Sequence, residues 1–132
     1  DLKITFAGSG PLESLLKDRF GAHERVTITS FEARDSIRFH YRYDMVVVPT
    51  VFSEGTSLSL CEAMSAGCLP LATHVGGMTN ILIDGFNGIM CPIGETALYD
   101  AVIKAMSMSR TEREFIVISP KEGGQSMKIR SY

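Results

Sequence analysis

With 132 residues and a mass of 14.5 kDa, the chain has room for one domain of ordinary size and not for two with separate cores. Hydrophobic residues make up 45% and charged residues 21%, a globular composition that excludes a disordered chain. Thirteen Lys and Arg against fifteen Asp and Glu leave a net charge of -2, so no basic field exists to hold a nucleic-acid backbone or an anionic bilayer.

Leu2–Ala7 is an extended apolar run that stops at Gly8-Ser9-Gly10-Pro11. Leu12, Leu15, Leu16 and Phe20 then recur at helical spacing, with Pro11 suited to the first helical position and Gly21 closing the helix. A strand follows at Val26–Thr29, then a loop over 30–34, a short helix over 35–41 and a third strand over 45–49. Residues 57–66 read as a helix ended by Gly67, and Leu69–Thr73 as a fourth strand leading into Gly76-Gly77. A short helix over 78–83, a turn over 84–88, a strand at Ile89–Cys91 and a helix over 95–108 follow. Runs apolar at every position, such as Met45–Val48, mark strands covered on both faces, which implies an α/β fold: a Rossmann-like open parallel sheet flanked by helices. That run is far below the roughly 20 residues of a spanning helix. The domain is expected over 1–109, with 110–132 a C-terminal extension, helical over 110–118 and irregular from Pro120 on. The three cysteines sit among apolar neighbours without the short spacing of a zinc site, the pattern of buried thiols in the cytoplasm.

The chemistry concentrates in residues 48–67, which place an acidic residue and three small ones where a helix leaves the C-terminal end of a strand. In open α/β sheets ligands bind there. The amides of Gly55, Thr56 and Ser57 would face outward at the positive end of the helix dipole, and Gly55 lacks the Cβ that would hold an anion away. A diphosphate fits this position. Glu62 lies five residues beyond Ser57, about 7.5 Å along the axis, a plausible offset from diphosphate to ribose. A carboxylate accepts two O–H groups of a vicinal diol, so Glu62 suits the ribose and Glu54 the hydroxyls of a sugar beyond the phosphates.

Each of these residues also has a plainer role. Glu54 alone would be a solvated loop carboxylate and Glu62 a solvated helix face, while Thr56 or Ser57 would simply cap the helix. Gly76-Gly77 is either a backbone approach to the sugar or a tight turn. The Gly8-Ser9-Gly10 turn fails the dinucleotide fingerprint because Glu13 stands where a third glycine belongs, which argues against a dehydrogenase and for a structural turn.

Glu54 and Glu62 form an E-x7-E pair inside EGTSLSLCEAMSAGCLPLAT, followed by VGG at 75–77 and DGFNGIMCP at 84–92, and preceded by ITFAGSGP and YDMVVVPT. With these motifs the chain resembles, over roughly residues 2–108, the C-terminal donor-binding domain of family-4 glycosyltransferases of the GT-B fold. The resemblance implies transfer of a sugar from a UDP-, GDP- or ADP-sugar to an acceptor, with retention of configuration and without a metal or other cofactor. It implies that Glu54 is catalytic and contacts the donor sugar, that Glu62 takes the ribose, that the backbone of Gly55, Thr56 and Ser57 holds the phosphates, and that Leu58, Gly76 and Gly77 belong to the donor site. The loop over 30–34 would flank the base. No Asp-x-Asp pair occurs in the chain, and Asn80 stands where the family often carries an acidic residue. The family's Arg and Lys pair, with the first strand of its domain, would precede Asp1. The acceptor-binding domain, and any membrane contact through it, would lie elsewhere in a longer chain, leaving the fragment inactive alone. The alternative is a module that binds a nucleotide or nucleotide sugar without turnover.

Overall fold

The computed structural model describes residues 2–52, 55–117 and 127–131, the last of these by the course of the backbone. Apolar runs set the strands: β1 (Leu2–Ala7), β2 (Val26–Thr29), β3 (Met45–Val48), β4 (Leu69–Thr73), β5 (Ile89–Cys91) and β6 (Met127–Ser131). They pair side by side, all in parallel, in the order β2-β1-β6-β3-β4-β5. Every residue of β3 and β4 is buried, as two-sided cover requires.

The helices are α1 (Glu13–Phe20), α2 (Ser36–His40), α3 (Leu58–Ser65), α4 (Glu95–Ser107) and α5 (Arg110–Ile116). Side chains alternate between the two faces of a strand, and the core divides accordingly. Met45 and Val47 pack with Leu69, Leu71 and Ala101 and Ala105 of α4. Val46 and Val48 pack with Leu60, Ala63 and Met64 of α3 on the other face. The sheet is thus sandwiched between α4 and α3, in the Rossmann-like arrangement that the apolar runs imply.

Four local expectations shift. α1 starts at Glu13, because the Glu13 amide bonds back to Gly10 (3.1 Å) and the resulting turn takes up Pro11 and Leu12. The helix over 35–41 is a 3-10 turn at Ala33–Asp35 followed by α2. The helix over 78–83 is replaced by a 3-10 turn at Gly76–Asn80, whose first glycine at φ +51° breaks α geometry. The tail expected to be irregular carries β6: two strand edges, β1 and β3, offer it backbone partners, and such tertiary pairing overrides the weak strand propensity of its composition. The rest of that tail, 118–126 and 132, lies outside the described residues.

Candidate functional site

Parallel pairing brings the C-terminal ends of the strands, Ala7, Thr29, Val48, Thr73 and Cys91 among them, to one edge of the sheet. From β1 the chain winds outward to β2, and from β3 it winds the opposite way to β4 and β5. The edge where winding reverses is the ligand position of open α/β sheets, and α3 starts there.

Ser57 is the N-cap of α3: its backbone is extended and its Oγ accepts the Leu60 N–H at 3.3 Å. The first intrahelical bond runs from the Cys61 N–H to the Ser57 carbonyl at 3.2 Å. Helix geometry therefore leaves the amides of Leu58 and Ser59 without an intrahelical acceptor, at the positive end of the dipole. Relative to the expectation of amides at Gly55, Thr56 and Ser57, the helix-end donors lie slightly further along. Gly55 and Thr56 form the exposed approach to them.

Gly77 meets that approach directly. A Cβ on Gly77 would stand 2.5 Å from the Gly55 carbonyl carbon and oxygen and 2.7 Å from the Thr56 nitrogen, so only glycine permits the two backbones to touch. The loop after β4 is thereby locked against the loop before α3. Leu58, Gly55, Thr56, Ser57, Gly76 and Gly77 are brought together on one edge.

Glu62 lies half-buried on α3, facing α2. Ser36, only 2% exposed, donates its hydroxyl to Glu62 Oε2. Behind it, His40 Nδ1 donates to the Ser36 carbonyl at 2.6 Å and lies 3.3 Å from Ser36 Oγ. Cys68 Sγ in turn donates to the carbonyls of His40 and Tyr43, each at 3.2 Å. The Glu62 carboxylate is therefore seated on a buried polar chain. With about four lone-pair sites on a carboxylate, the Ser36 bond leaves capacity for further O–H donors. Glu54, with Ser53, lies outside the described residues.

The loop over 30–34 is drawn toward the same place, since Phe31 stacks on Phe39 of α2 with centroids 4.5 Å apart. Beside it, at the ends of β1 and β2, a cleft of about 370 Å³ is lined by Phe6, Gly8, Ser9, Gly10, Leu16 and Ile28 among others. Glu13 at its rim is matched by Lys17 at 2.6 Å. The segment 84–88 is a turn stitched by its own side chains: Asn87 accepts from the Ile83 amide (2.7 Å) and donates to the Ile81 carbonyl (2.8 Å). Asp84 accepts from the Met90 amide at 2.9 Å. Among the described residues no three His, Cys, Asp or Glu side chains cluster as a metal ion would need.

A profile of the family described as glycosyl transferases group 1 matches residues 1–108, most of the chain. The chain belongs to this family. It is 33% identical over 91 residues to an uncharacterized glycosyltransferase of Methanocaldococcus jannaschii, covering 66% of this chain and 23% of that one. It is also 33% identical over 100 residues to a D-inositol 3-phosphate glycosyltransferase of a Mycobacterium species, covering 68% and 22%. The group 1 domain described here thus spans about a quarter of the length of the curated relatives that it matches. Among solved structures, Anabaena HepE in complex with UDP and glucose superposes with a TM-score of 0.71 at 21% identity, covering 87% of this chain and 33% of that one. The C-terminal domain of a group 1 protein from Francisella tularensis superposes at 0.60 with 25% identity, covering 81% and 55%. These likenesses agree with the GT-B half that the motifs imply.

Ser36 and His40 are the site residues that sequence reasoning missed. Ser36 sits 26 positions from Glu62, and no local spacing links them. A signal was present only in the apolar Phe39 and Phe31, which tie α2 and its preceding loop to the sheet edge.

Proposed function

We propose that this chain is the donor-binding domain of a retaining, metal-independent glycosyltransferase that uses a UDP-, GDP- or ADP-sugar. The observation that carries this reading is one sheet edge where a capped helix N-terminus, two interlocked glycine loops and a braced carboxylate, Glu62, stand together. The diphosphate sits at the Leu58 and Ser59 amides, where helix-end N–H groups meet negative charge. Glu62 takes the ribose diol with the lone pairs that Ser36 leaves open. Glu54 contacts the donor sugar and carries the catalytic role, and Gly76 and Gly77 border that sugar.

The bound UDP and glucose of the HepE structure and the glycosyltransferase activity named for the relatives support the reading. The resemblance supports retention, and the lack of any Asp-x-Asp pair in the sequence is consistent with a metal-independent site. The acceptor is bound by an N-terminal domain of the whole protein, which acts in the cytoplasm, where the thiols remain reduced. Turnover belongs to that assembly.

Calorimetry of the 132-residue chain with UDP-, GDP- and ADP-sugars tests donor binding. One of the three should bind with saturable heat, and Glu62→Ala should weaken it about 10-fold or more, as loss of hydrogen bonds to a charged group requires. Equal affinity in the variant would remove the ribose role. No binding of any donor would remove the whole reading.

A further inference from the structure

His40 ends α2 and is wholly buried, in a place where a leucine would carry no polar group out of water. Side chains on a helix lean back toward its N-terminus, so the His40 ring lies over Ser36, four residues earlier. Its Nδ1 stands 2.6 Å from the Ser36 carbonyl oxygen and 3.3 Å from Ser36 Oγ. Phe31 meets the ring edge-on, with centroids 6.0 Å apart, and Cys68 Sγ donates to the His40 carbonyl at 3.2 Å. The imidazole is thus fixed from its own helix, from the loop before that helix and from the residue that leads into β4.

This geometry decides the tautomer. A carbonyl oxygen only accepts, so at 2.6 Å Nδ1 carries a hydrogen; a bare lone pair there would face those of the carbonyl. Nδ1 then has no lone pair to offer the Ser36 hydroxyl. A buried hydroxyl needs an acceptor, and among the described residues the one that Ser36 meets is the Glu62 carboxylate. The longer approach of Nδ1 to Oγ works in the same direction, because a hydroxyl polarised by a donor at its oxygen gives its own hydrogen more strongly. From the ring to the hydroxyl to the carboxylate, the protons all point toward Glu62.

We propose that His40 is a positioning residue for the donor: as the Nδ1–H tautomer it aims the Ser36 hydroxyl at Glu62, and so holds the carboxylate ready for the two hydroxyls of a ribose. His40 touches no ligand itself. This role rests on the reading of Glu62 as the ribose acceptor, and it places the discrimination of ribonucleotides from 2′-deoxyribonucleotides two side chains behind the ligand. A histidine kept only for its bulk would have no such effect.

Two measurements on the 132-residue chain test the role. Nitrogen NMR of the ring should find the His40 proton on Nδ1, and a ring protonated on Nε2 alone would overturn the proposal without any variant. Calorimetry with UDP, GDP and ADP, each beside its 2′-deoxy form, then compares wild-type chain with His40→Leu, His40→Asn and His40→Gln. The Asn amide N–H can stand where Nδ1–H does, whereas the Gln amide reaches toward Nε2. His40→Leu should weaken the bound ribonucleotide about 5-fold and its deoxy form less, so the preference for ribose falls. His40→Asn should keep most of that preference and His40→Gln should lose it, a contrast that serves if His40→Leu does not fold. In a Ser36→Ala background His40→Leu should cost under about 2-fold, because the hydroxyl through which His40 acts is gone. With nucleotide bound by wild-type chain, an undiminished ribose preference in both His40→Leu and His40→Gln overturns the role of His40 and leaves the donor site standing. So does the full His40→Leu penalty in the Ser36→Ala background. Absence of nucleotide binding to wild-type chain removes the donor reading, and the role of His40 with it.

Discussion

Glu62 stands at the edge proposed for the ligand with one oxygen already engaged by Ser36, a buried hydroxyl whose own backbone carbonyl is held by His40. A half-buried carboxylate without such a partner would sample several rotamers, and a diol would have to order it on binding. Ser36 removes that cost by fixing the carboxylate beforehand. Ser36→Ala should therefore weaken nucleotide binding about 10-fold, in line with roughly 1.5 kcal/mol for a hydrogen bond to a charged group. The distinguishing readout is the ribose itself. Wild-type chain should prefer ribonucleotides over 2′-deoxyribonucleotides, and the variant should lose most of that preference while its urea midpoint moves little. An intact preference in Ser36→Ala would reduce Ser36 to a packing residue.

At the scale of elements, the strands were legible because each is a short apolar run bounded by glycine, proline or charge, and Leu2–Ala7, Val26–Thr29, Leu69–Thr73 and Ile89–Cys91 have the expected limits. Ser57 was legible as a cap because a small hydroxyl residue precedes an apolar helix. What escaped were elements decided by distant partners: β6, whose strand state depends on two neighbours more than 80 positions away in sequence, and the 3-10 turn at Gly76–Asn80, whose glycines serve contact with Gly55. α5 offers a local test. Ser109 and Glu112 form a reciprocal capping box, with the Ser109 amide 2.6 Å from Glu112 Oε2 and the Glu112 amide 3.1 Å from Ser109 Oγ. Hydrogen bonds from the Ser109 amide first, and from its side chain second, hold the Glu112 carboxyl below the usual range. A depressed folded value means that the contribution is complete above the unfolded glutamate pKa of about 4.3 and disappears as pH falls through the folded one. After correction for the intrinsic pH dependence of the reaction, amide exchange of α5 should accordingly rise on acidification below about pH 4 in wild-type chain. Ser109→Ala, a substitution costing about 1 kcal/mol at a helix cap, should raise it already at neutral pH. Exchange in α5 that, so corrected, is equally slow at pH 3 and pH 6 would contradict the box.

For the molecule as a whole, the three cysteines report how far the sheet and its helices unfold together. Cys61 is half-buried on α3, whereas Cys68 is fully buried in the core against α3 and Cys91 is 5% exposed against α4. The sequence suggested burial for all three because each has apolar neighbours, yet helical periodicity turns Cys61 partly outward while its neighbours Leu60, Ala63 and Met64 face the sheet. Alkylation requires both access and thiolate. Cys91 is disfavoured on both counts, since burial, and after it the negative charge of Asp84, pushes its thiol up. Iodoacetamide at neutral pH should therefore modify Cys61 first. Cys68 and Cys91 should react only as denaturant carries the chain through its unfolding transition, and at one shared midpoint, because they lie on opposite faces of a sheet joined through β3 and β4. Mass spectrometry of peptides across a urea series gives both midpoints. If Cys68 reacted at a lower urea concentration than Cys91, the α3 face would be opening independently of the α4 face. The edge formed by α3, proposed to hold the donor, would then belong to a separately unfolding layer, and a nucleotide binding there should raise the Cys68 midpoint while leaving that of Cys91 in place.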